Sequence, residues 1–334
     1  SLVKTCAKLK DLGSGIKVHD EISRISHLTR DHFLGCMLVN MYGKCGSIVK
    51  AQKVFDELLL RDVVTWNTLI TGYAQHGHAH EALDGFIQMR DEGFSPDAIT
   101  FVSTLKACGK IGCLEMGKEI HAMINNSEGL LEKNVVLGHA LVDMYAICNV
   151  MGKAQEVFDE LPTPDIVSWN TLIAGYTQHG HGHYEALSCF KKMQDEGIPP
   201  NAITFVCALN ACGTVCCLRM GEEIYAKVFK LGLLNENIVV GNALVGMYVK
   251  CSMLKKAQEV FNELLPRRDV VSFNALIAGY ARHGLIDEAL DCLKKMKLEK
   301  KCVSPNALTF VSILKACGAI GSLEKGEKIH AEVE

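Results

Sequence analysis

Val63-Val64-Thr65-Trp66-Asn67-Thr68-Leu69-Ile70 is written three times along this chain. It returns as Ile166-Val167-Ser168-Trp169-Asn170-Thr171-Leu172-Ile173, and again as Val270-Val271-Ser272-Phe273-Asn274-Ala275-Leu276-Ile277. Met41-Tyr42, Met144-Tyr145 and Met247-Tyr248 are spaced by 103 residues, within one residue of the step between those copies. A fixed long period marks stacked supersecondary units, each packed on its neighbours, rather than a globule built around one cleft.

Working outward, each long period divides into three units. One cycle runs 63–97, 98–134 and 135–165, the next 166–201, 202–237 and 238–269, and a third opens with 270–306. A complete unit at 32–62 precedes them, with partial units at 1–31 and 307–334, so the chain reads as a fragment of one array spanning 1–334. Within 63–97, Trp66, Leu69, Ile70 and Tyr73 fall on one helical face. His76-Gly77-His78 breaks that pattern. Glu81, Ala82, Leu83, Phe86, Ile87 and Met89 then give a second amphipathic stretch, ended by Gly93 and Pro96. No polar–apolar alternation is long enough for a sheet. A helical hairpin cannot bury its apolar face alone, so the expected class is all-α, an α-solenoid of stacked helix-turn-helix repeats.

Composition narrows the alternatives. The chain has 334 residues and is 49% hydrophobic, enough for a long continuous core. No apolar run reaches the ~18–20 residues that cross a bilayer, so no membrane partner is expected. Most of the 15 cysteines follow the repeat. Cys6, Cys108, Cys212 and Cys317 share one position, Cys45, Cys148 and Cys251 another, Cys113 and Cys217 a third, Cys189 and Cys292 a fourth. Cysteine copied at one helical position is a small buried apolar residue. No C-x-x-C spacing occurs, which removes the common zinc and redox signatures and points to a reducing compartment. His76-Gly77-His78-Ala79-His80 and His179-Gly180-His181-Gly182-His183 fall in turns, and the third copy, His283-Gly284-Leu285-Ile286, loses two histidines. They read as surface turns, and no metal site is expected.

The order Val-Val-Thr-Trp-Asn-Thr-Leu-Ile, Glu-Ala-Leu, Met-x-x-x-Gly-x-x-Pro-Asp resembles the pentatricopeptide repeat. The rotation of unit lengths is similar to the plant-type array of standard, long and short motifs (the PLS subfamily). The long motif is carried by Ala98-Ile99-Thr100-Phe101-Val102 through Ala107-Cys108-Gly109 to Ile120-His121-Ala122. Gly138-His139-Ala140-Leu141-Val142-Asp143-Met144-Tyr145 through Ala154-Gln155-Glu156-Val157-Phe158-Asp159 carries the short one. The resemblance implies a right-handed superhelix that binds single-stranded RNA, one base per repeat, and selects cytidines for C-to-U editing in a mitochondrion or chloroplast.

By that resemblance, the fifth and last residues of a unit choose the base and the second clamps it. The standard units give Asn67 with Asp97, Asn170 with Asn201, and Asn274 with Asn306. Short units give Cys36 with Asp62, His139 with Asp165, and Asn242 with Asp269. Long units give the weaker pairs Val102 with Asn134 and Val206 with Asn237. The clamps are Val64, Val136, Val167, Val239 and Val271. Val64 and Asn67, three apart, share a face beside the Trp66/Ile70/Tyr73 core stripe. An asparagine amide donates and accepts, which suits a Watson–Crick edge, whereas a carboxylate only accepts. The family's code reads Asn/Asp as U and Asn/Asn as C with U tolerated, so the expected target from unit 32–62 onward is x-U-x-x-C-x-U-C, a pyrimidine-biased strand. A purely structural reading stands beside it: Asp62, Asp97, Asp165 and Asp269 also look like helix N-caps.

A net charge of −3 argues against tight phosphate binding. Lys191-Lys192, Lys255-Lys256, Lys294-Lys295 with Lys297, and Lys300-Lys301 are expected on second helices and connections, as a solvated face. The resemblance therefore implies a helper, a multiple organellar RNA editing factor protein. His330-Ala331-Glu332 matches half of the deaminase H-x-E…C-x-x-C signature, but it is one copy of a repeat position and no C-x-x-C follows. No catalytic residue, cofactor or small-molecule substrate is expected. Two rival readings are a protein-interaction scaffold and a consensus-derived RNA binder.

Overall fold

The computed structural model describes residues 2–25, 31–127, 129–178, 182–265, 267–298 and 303–333. Among the described residues there are 21 helices and no strand. Unit by unit they are α1 (Leu2–Leu9) and α2 (Leu12–Arg24); α3 (His32–Lys44) and α4 (Ile48–Asp56); α5 (Val63–Gln75) and α6 (Ala79–Asp91); α7 (Ala98–Ile111) and α8 (Leu114–Asn125); α9 (Val135–Ile147) and α10 (Met151–Asp159). There follow α11 (Ile166–Gln178) and α12 (His183–Asp195); α13 (Ala202–Thr214), α14 (Leu218–Lys230) and the one-turn α15 (Leu233–Glu236); α16 (Ile238–Lys250) and α17 (Leu254–Glu263); α18 (Val270–Arg282) and α19 (Ile286–Leu298); α20 (Ala307–Ala319) and α21 (Leu323–Val333). Two helices per unit is the arrangement read from the sequence. The extra turn α15, which buries Leu234, is not.

The chain forms two compact bodies, Ser1–Leu172 and Ile173–Glu334. In the first, α1, α3, α5, α7 and α9 pack one on the next, and α4, α6 and α8 each pack on their own first helix and on the following one. In the second, α13, α16, α18 and α20 form the same succession, flanked by α12, α17 and α19. Each body is thus a double layer of first and second helices.

Residue size at the fourth position of a unit sets the packing. Trp66 is buried with its ring 4.6 Å from Phe55, and Trp169 lies 4.6 Å from Phe158. In the second body Phe273 meets Phe261 at 5.0 Å. Such edge-on aromatic pairs add about 0.5–1.5 kcal/mol each beyond their area. Short units carry Gly35, Gly138 or Gly241 at this position, and a Cβ there would run into Leu58, Leu161 or Leu264. The leucine after the second helix occupies the space the aromatic takes elsewhere.

Hairpin turns use left-handed backbone at a repeated place. Gly46, Gly77, Gly112 and Gly284 supply it where glycine is present, while Asn149, Cys216 and Ser252 adopt φ values of 60°, 55° and 59° without it. Burial departs from the sequence reading at two points. Ile87 is 40% exposed, because Phe86 and Met89 already fill the core-facing stripe of α6. Cys6, Cys108, Cys189, Cys212, Cys292 and Cys317 are buried, but Cys45, Cys148 and Cys251, which cap first helices, are only half-buried, as are Cys113 and Cys217, which precede second helices.

Candidate nucleic-acid interface

Most first helices begin with a side-chain cap, and that cap assembles the site. Asp97 Oδ1 accepts from the backbone N–H groups of Ile99 and Thr100 at 2.9 and 3.0 Å, while the Asp97 N–H donates to Thr100 Oγ1. This reciprocal capping box recurs at Asp62/Thr65, Asn201/Thr204, Asp269/Ser272 and Asn306/Thr309. Asp165 accepts from the Val167 and Ser168 N–H groups in the same way. A cap of this type stabilises by about 1 kcal/mol.

The same cap holds the fifth residue of the preceding unit. Asn67 Nδ2 donates to Asp97 Oδ2 at 2.9 Å, and the Thr100 hydroxyl donates to Asn67 Oδ1 at 2.5 Å. In the second body Asn242 Nδ2 donates to Asp269 Oδ1 at 3.1 Å, and the Ser272 hydroxyl donates to Asn242 Oδ1 at 2.5 Å. Asn274 donates to Asn306 Oδ1 at 3.1 Å and accepts the Thr309 hydroxyl at 2.6 Å. The structure therefore brings each of these fifth and last residues together. It also sinks the asparagines: Asn67, Asn242 and Asn274 are 6%, 9% and 7% exposed, deeper than a position beside the core stripe suggests.

His139 is placed likewise, with Nε2 2.8 Å from Ser168 Oγ and 3.2 Å from Asp165 Oδ1. Burial, the largest influence on the Asp165 carboxyl, pushes its pKa up, but hydrogen bonds from Ser168 and the nearby His139 outweigh it, and the net direction is down. Cys36 Sγ lies 3.6 Å from His32 Nε2, which in turn lies 2.9 Å from Asp62 Oδ2. Burial raises the Cys36 thiol to about 11. Asn170 lies half-buried on α11 in the first body, and Asn201 caps α13 in the second. The long-unit residues are less organised. Val102 and Val206 are half-buried, Asn134 makes no side-chain bond to the helix it precedes, and Asn237 accepts only from the Val239 N–H.

In front of Asn67 and Asp97 lies a groove of about 450 Å³, walled by Val64 and Ile99 and carrying Lys44. A second, of about 420 Å³, opens before Val102 and Asn134 between Ile99 and Val136 and carries Lys106. Val64, Val136, Val167, Val239 and Val271 are all about half exposed or more, apolar side chains left in the open. Phe33, Ile99, Ile203 and Leu308 occupy the same second position and are 58–65% exposed. The sequence reading omitted these four, although the position in each unit identifies them. Lys44, Lys110, Lys250 and Arg282 close first helices, where a cation also suits the helix dipole. The lysine pairs at 191–192 and 255–256 and those at 294, 295 and 297 lie on second helices α12, α17 and α19. Lys300-Lys301 and His179–His181 fall outside the described residues. His76 and His78 flank the turn between α5 and α6, as expected of a surface turn.

Comparison with known proteins follows the repeat. The profile described as PPR repeat family matches residues 61–110, 164–214 and 268–319, and the PPR repeat profile matches 36–63 and 242–265. A mitochondrial pentatricopeptide repeat-containing protein of Arabidopsis thaliana is 36% identical over 98% of this chain and 46% of its own length. A chloroplastic one from the same plant is 35% identical over 99% of this chain and 60% of its own. The chain thus spans about half the length of such relatives. Among solved structures, the pentatricopeptide repeat protein PPR10 in complex with an 18-nucleotide psaJ RNA element superposes with a TM-score of 0.79 at 20% identity, covering 95% of this chain and 47% of that one. PPR10 from maize gives 0.74 at 21% identity, over 96% and 46%. At this identity the likeness establishes the shared α-solenoid fold.

Proposed function

The chain belongs to the pentatricopeptide repeat family, and we propose that it binds single-stranded RNA with one base set against each complete unit. The observation that carries this is the cap's division of labour. One oxygen of the last residue is committed to the helix, so what remains facing the groove depends on residue type. At Asp97 the Oδ2 atom keeps a lone pair beyond its bond from Asn67, and at Asp269 Oδ2 stands beside a committed Oδ1. A remaining acceptor suits the N3–H of uracil. At Asn306 the cap takes Oδ1, which fixes the amide so that Nδ2 is left as a donor, suited to the bare N3 of cytosine.

The exposed second residues give the bases apolar walls. Val64 and Ile99 bracket the groove at Asn67 and Asp97. The family's code adds Asn170/Asn201 as C, giving the pyrimidine-biased target x-U-x-x-C-x-U-C. In this reading phosphates meet the cations on first helices: Lys44 and Lys106, which line the two grooves, and Lys110, Lys250 and Arg282 at helix ends. With a net charge of −3, affinity is modest and falls steeply with salt.

Within the whole protein this segment acts as the site-recognition part of a C-to-U editing factor, of the rotating standard, long and short subfamily. The chemistry is supplied elsewhere, and a multiple organellar RNA editing factor protein assists at the long units. Its place is a mitochondrion or a chloroplast, as the names of the Arabidopsis relatives have it.

The test is Asn306→Asp. It keeps the cap oxygen and turns the free donor into an acceptor, so the base preferred at the Asn274 unit moves from C to U by about tenfold or more. Oligonucleotides differing only at that base, compared by gel shift, measure it. An unchanged C:U ratio with binding retained rejects base reading.

A further inference from the structure

We propose that His32, Cys36 and Asp62 bind one divalent zinc-type transition-metal ion. His32 and Cys36 stand one turn apart on α3, at the i and i+4 spacing that stacks side chains on one helix face. Asp62 arrives from the cap of α5, where Oδ1 holds the Thr65 N–H and Oδ2 is left for other work. The imidazole nitrogen, the thiol sulfur and a carboxylate oxygen all lie within 4.8 Å of one another.

The spacings suit a tetrahedral ion. With Zn–N of about 2.1 Å and Zn–S of about 2.3 Å, a tetrahedral N···S edge is about 3.6 Å. His32 Nε2 and Cys36 Sγ are 3.6 Å apart. The Nε2···Oδ2 distance of 2.9 Å falls a few tenths of an ångström short of the corresponding N···O edge of about 3.3 Å. Asp62 is 47% exposed on its side chain, so it has room to give.

The histidine ring is also oriented for ligation. Its Nδ1 lies 3.1 Å from the Leu60 carbonyl oxygen, which can only accept, so Nδ1 carries a proton. In a neutral ring Nε2 then presents its lone pair to Oδ2. Two lone pairs at 2.9 Å need a cation between them, either a proton or a metal ion. A ring N–H tied to a backbone carbonyl is the usual outer support of a metal-bound histidine.

The ligand types select the ion. A thiolate with an imidazole and one carboxylate suits zinc and its neighbours, whereas magnesium and calcium want oxygen alone. On binding, the Cys36 thiol gives up its proton to solvent, and a fourth position stays open to water. Every later unit opens on Val, Ile or Ala where this one has His32, so none of them repeats the triad at these positions. Cys36 and Asp62 are also the reading pair of unit 32–62, and an ion there would displace a base. The proposal does not rest on RNA binding, and its test contains no RNA.

Co2+ is titrated into the reduced, chelator-treated full chain and followed by absorption. One equivalent should bring a thiolate-to-cobalt charge-transfer band with visible bands of tetrahedral intensity, and Zn2+ should bleach them at one equivalent. Cys36→Ser leaves the other 14 of the 15 cysteines in place and should abolish the charge-transfer band. His32→Ala should weaken binding by about 100-fold or more, beyond the usual loss for an outer-shell partner. Asp62→Asn keeps the cap oxygen on Thr65, and hence the fold, while weakening the ion. No band in the parent chain, a band that persists in Cys36→Ser, or equal affinity in Asp62→Asn overturns the site.

Discussion

Replacing Thr100 by valine keeps its shape and removes its hydroxyl. In the native chain that hydroxyl donates to Asn67 Oδ1 at 2.5 Å and accepts the Asp97 N–H at 3.0 Å. Thr100 is fully buried, and Asn67 nearly so. The substitution strands a buried amide oxygen, at a cost of about 1–3 kcal/mol, and removes one neutral hydrogen bond of about 0.5–1.5 kcal/mol. Water entering the groove beside Asn67 relieves part of the first, so the expected loss is about 2 kcal/mol. A second change, Asn67→Val, removes the stranded oxygen and should restore at least half of that loss. Long units already have this composition, with Val102 ahead of Leu137 and Val206 ahead of Val240. Repeat arrays need not unfold in one step, so the readout should be local. Urea unfolding followed by Trp66 fluorescence in a Trp169→Phe background provides it, phenylalanine being the natural residue at the equivalent Phe273. Thr100→Val within about 0.5 kcal/mol of the parent, or a double variant less stable than the single one, would refute the network.

Gly241→Ala should destabilise the second body by about 1 kcal/mol, since the new methyl meets the buried Leu264 and that strain exceeds the gain in helix propensity; a urea midpoint equal to the parent's would contradict it. Cys216→Gly should stabilise by about 0.5–1 kcal/mol, because Cys216 is exposed at φ 55° and glycine relieves the left-handed backbone; the same titration reads it, and a loss would be the wrong sign. Asp165→Asn keeps the cap acceptor and removes the charge. Because the Asp165 carboxyl is held below its ordinary value, its contribution is present above that value, about 3.9, and is lost as pH falls through the lower folded value. The stability gap between parent and variant should therefore close below about pH 4, and a gap constant with pH counts against it.

The hairpins were legible because their causes are local: the Trp66/Leu69/Ile70 stripe, the Gly93 and Pro96 stop, and the Asp or Asn before each first helix all lie within one unit. The burial of Asn67 was not, because it depends on Thr100, a residue of the next unit that a unit-by-unit reading assigns to a different helix. A signal was nevertheless present. Wherever the fifth residue is polar, the third residue of the following unit is a hydroxyl: Thr65 after Cys36, Thr100 after Asn67, Ser168 after His139, Thr204 after Asn170, Ser272 after Asn242 and Thr309 after Asn274. Wherever it is valine, that residue is Leu137 or Val240. Reading Asp97 as either a helix cap or a partner of Asn67 set up a choice that a carboxylate does not have to make. Oδ1 caps Thr100 while Oδ2 holds Asn67, so one residue fixes where the next helix starts and which polar group faces the groove. A substitution that preserves the cap and changes only the second atom, as Asn306→Asp does, therefore separates recognition from stability at a position where most changes would alter both.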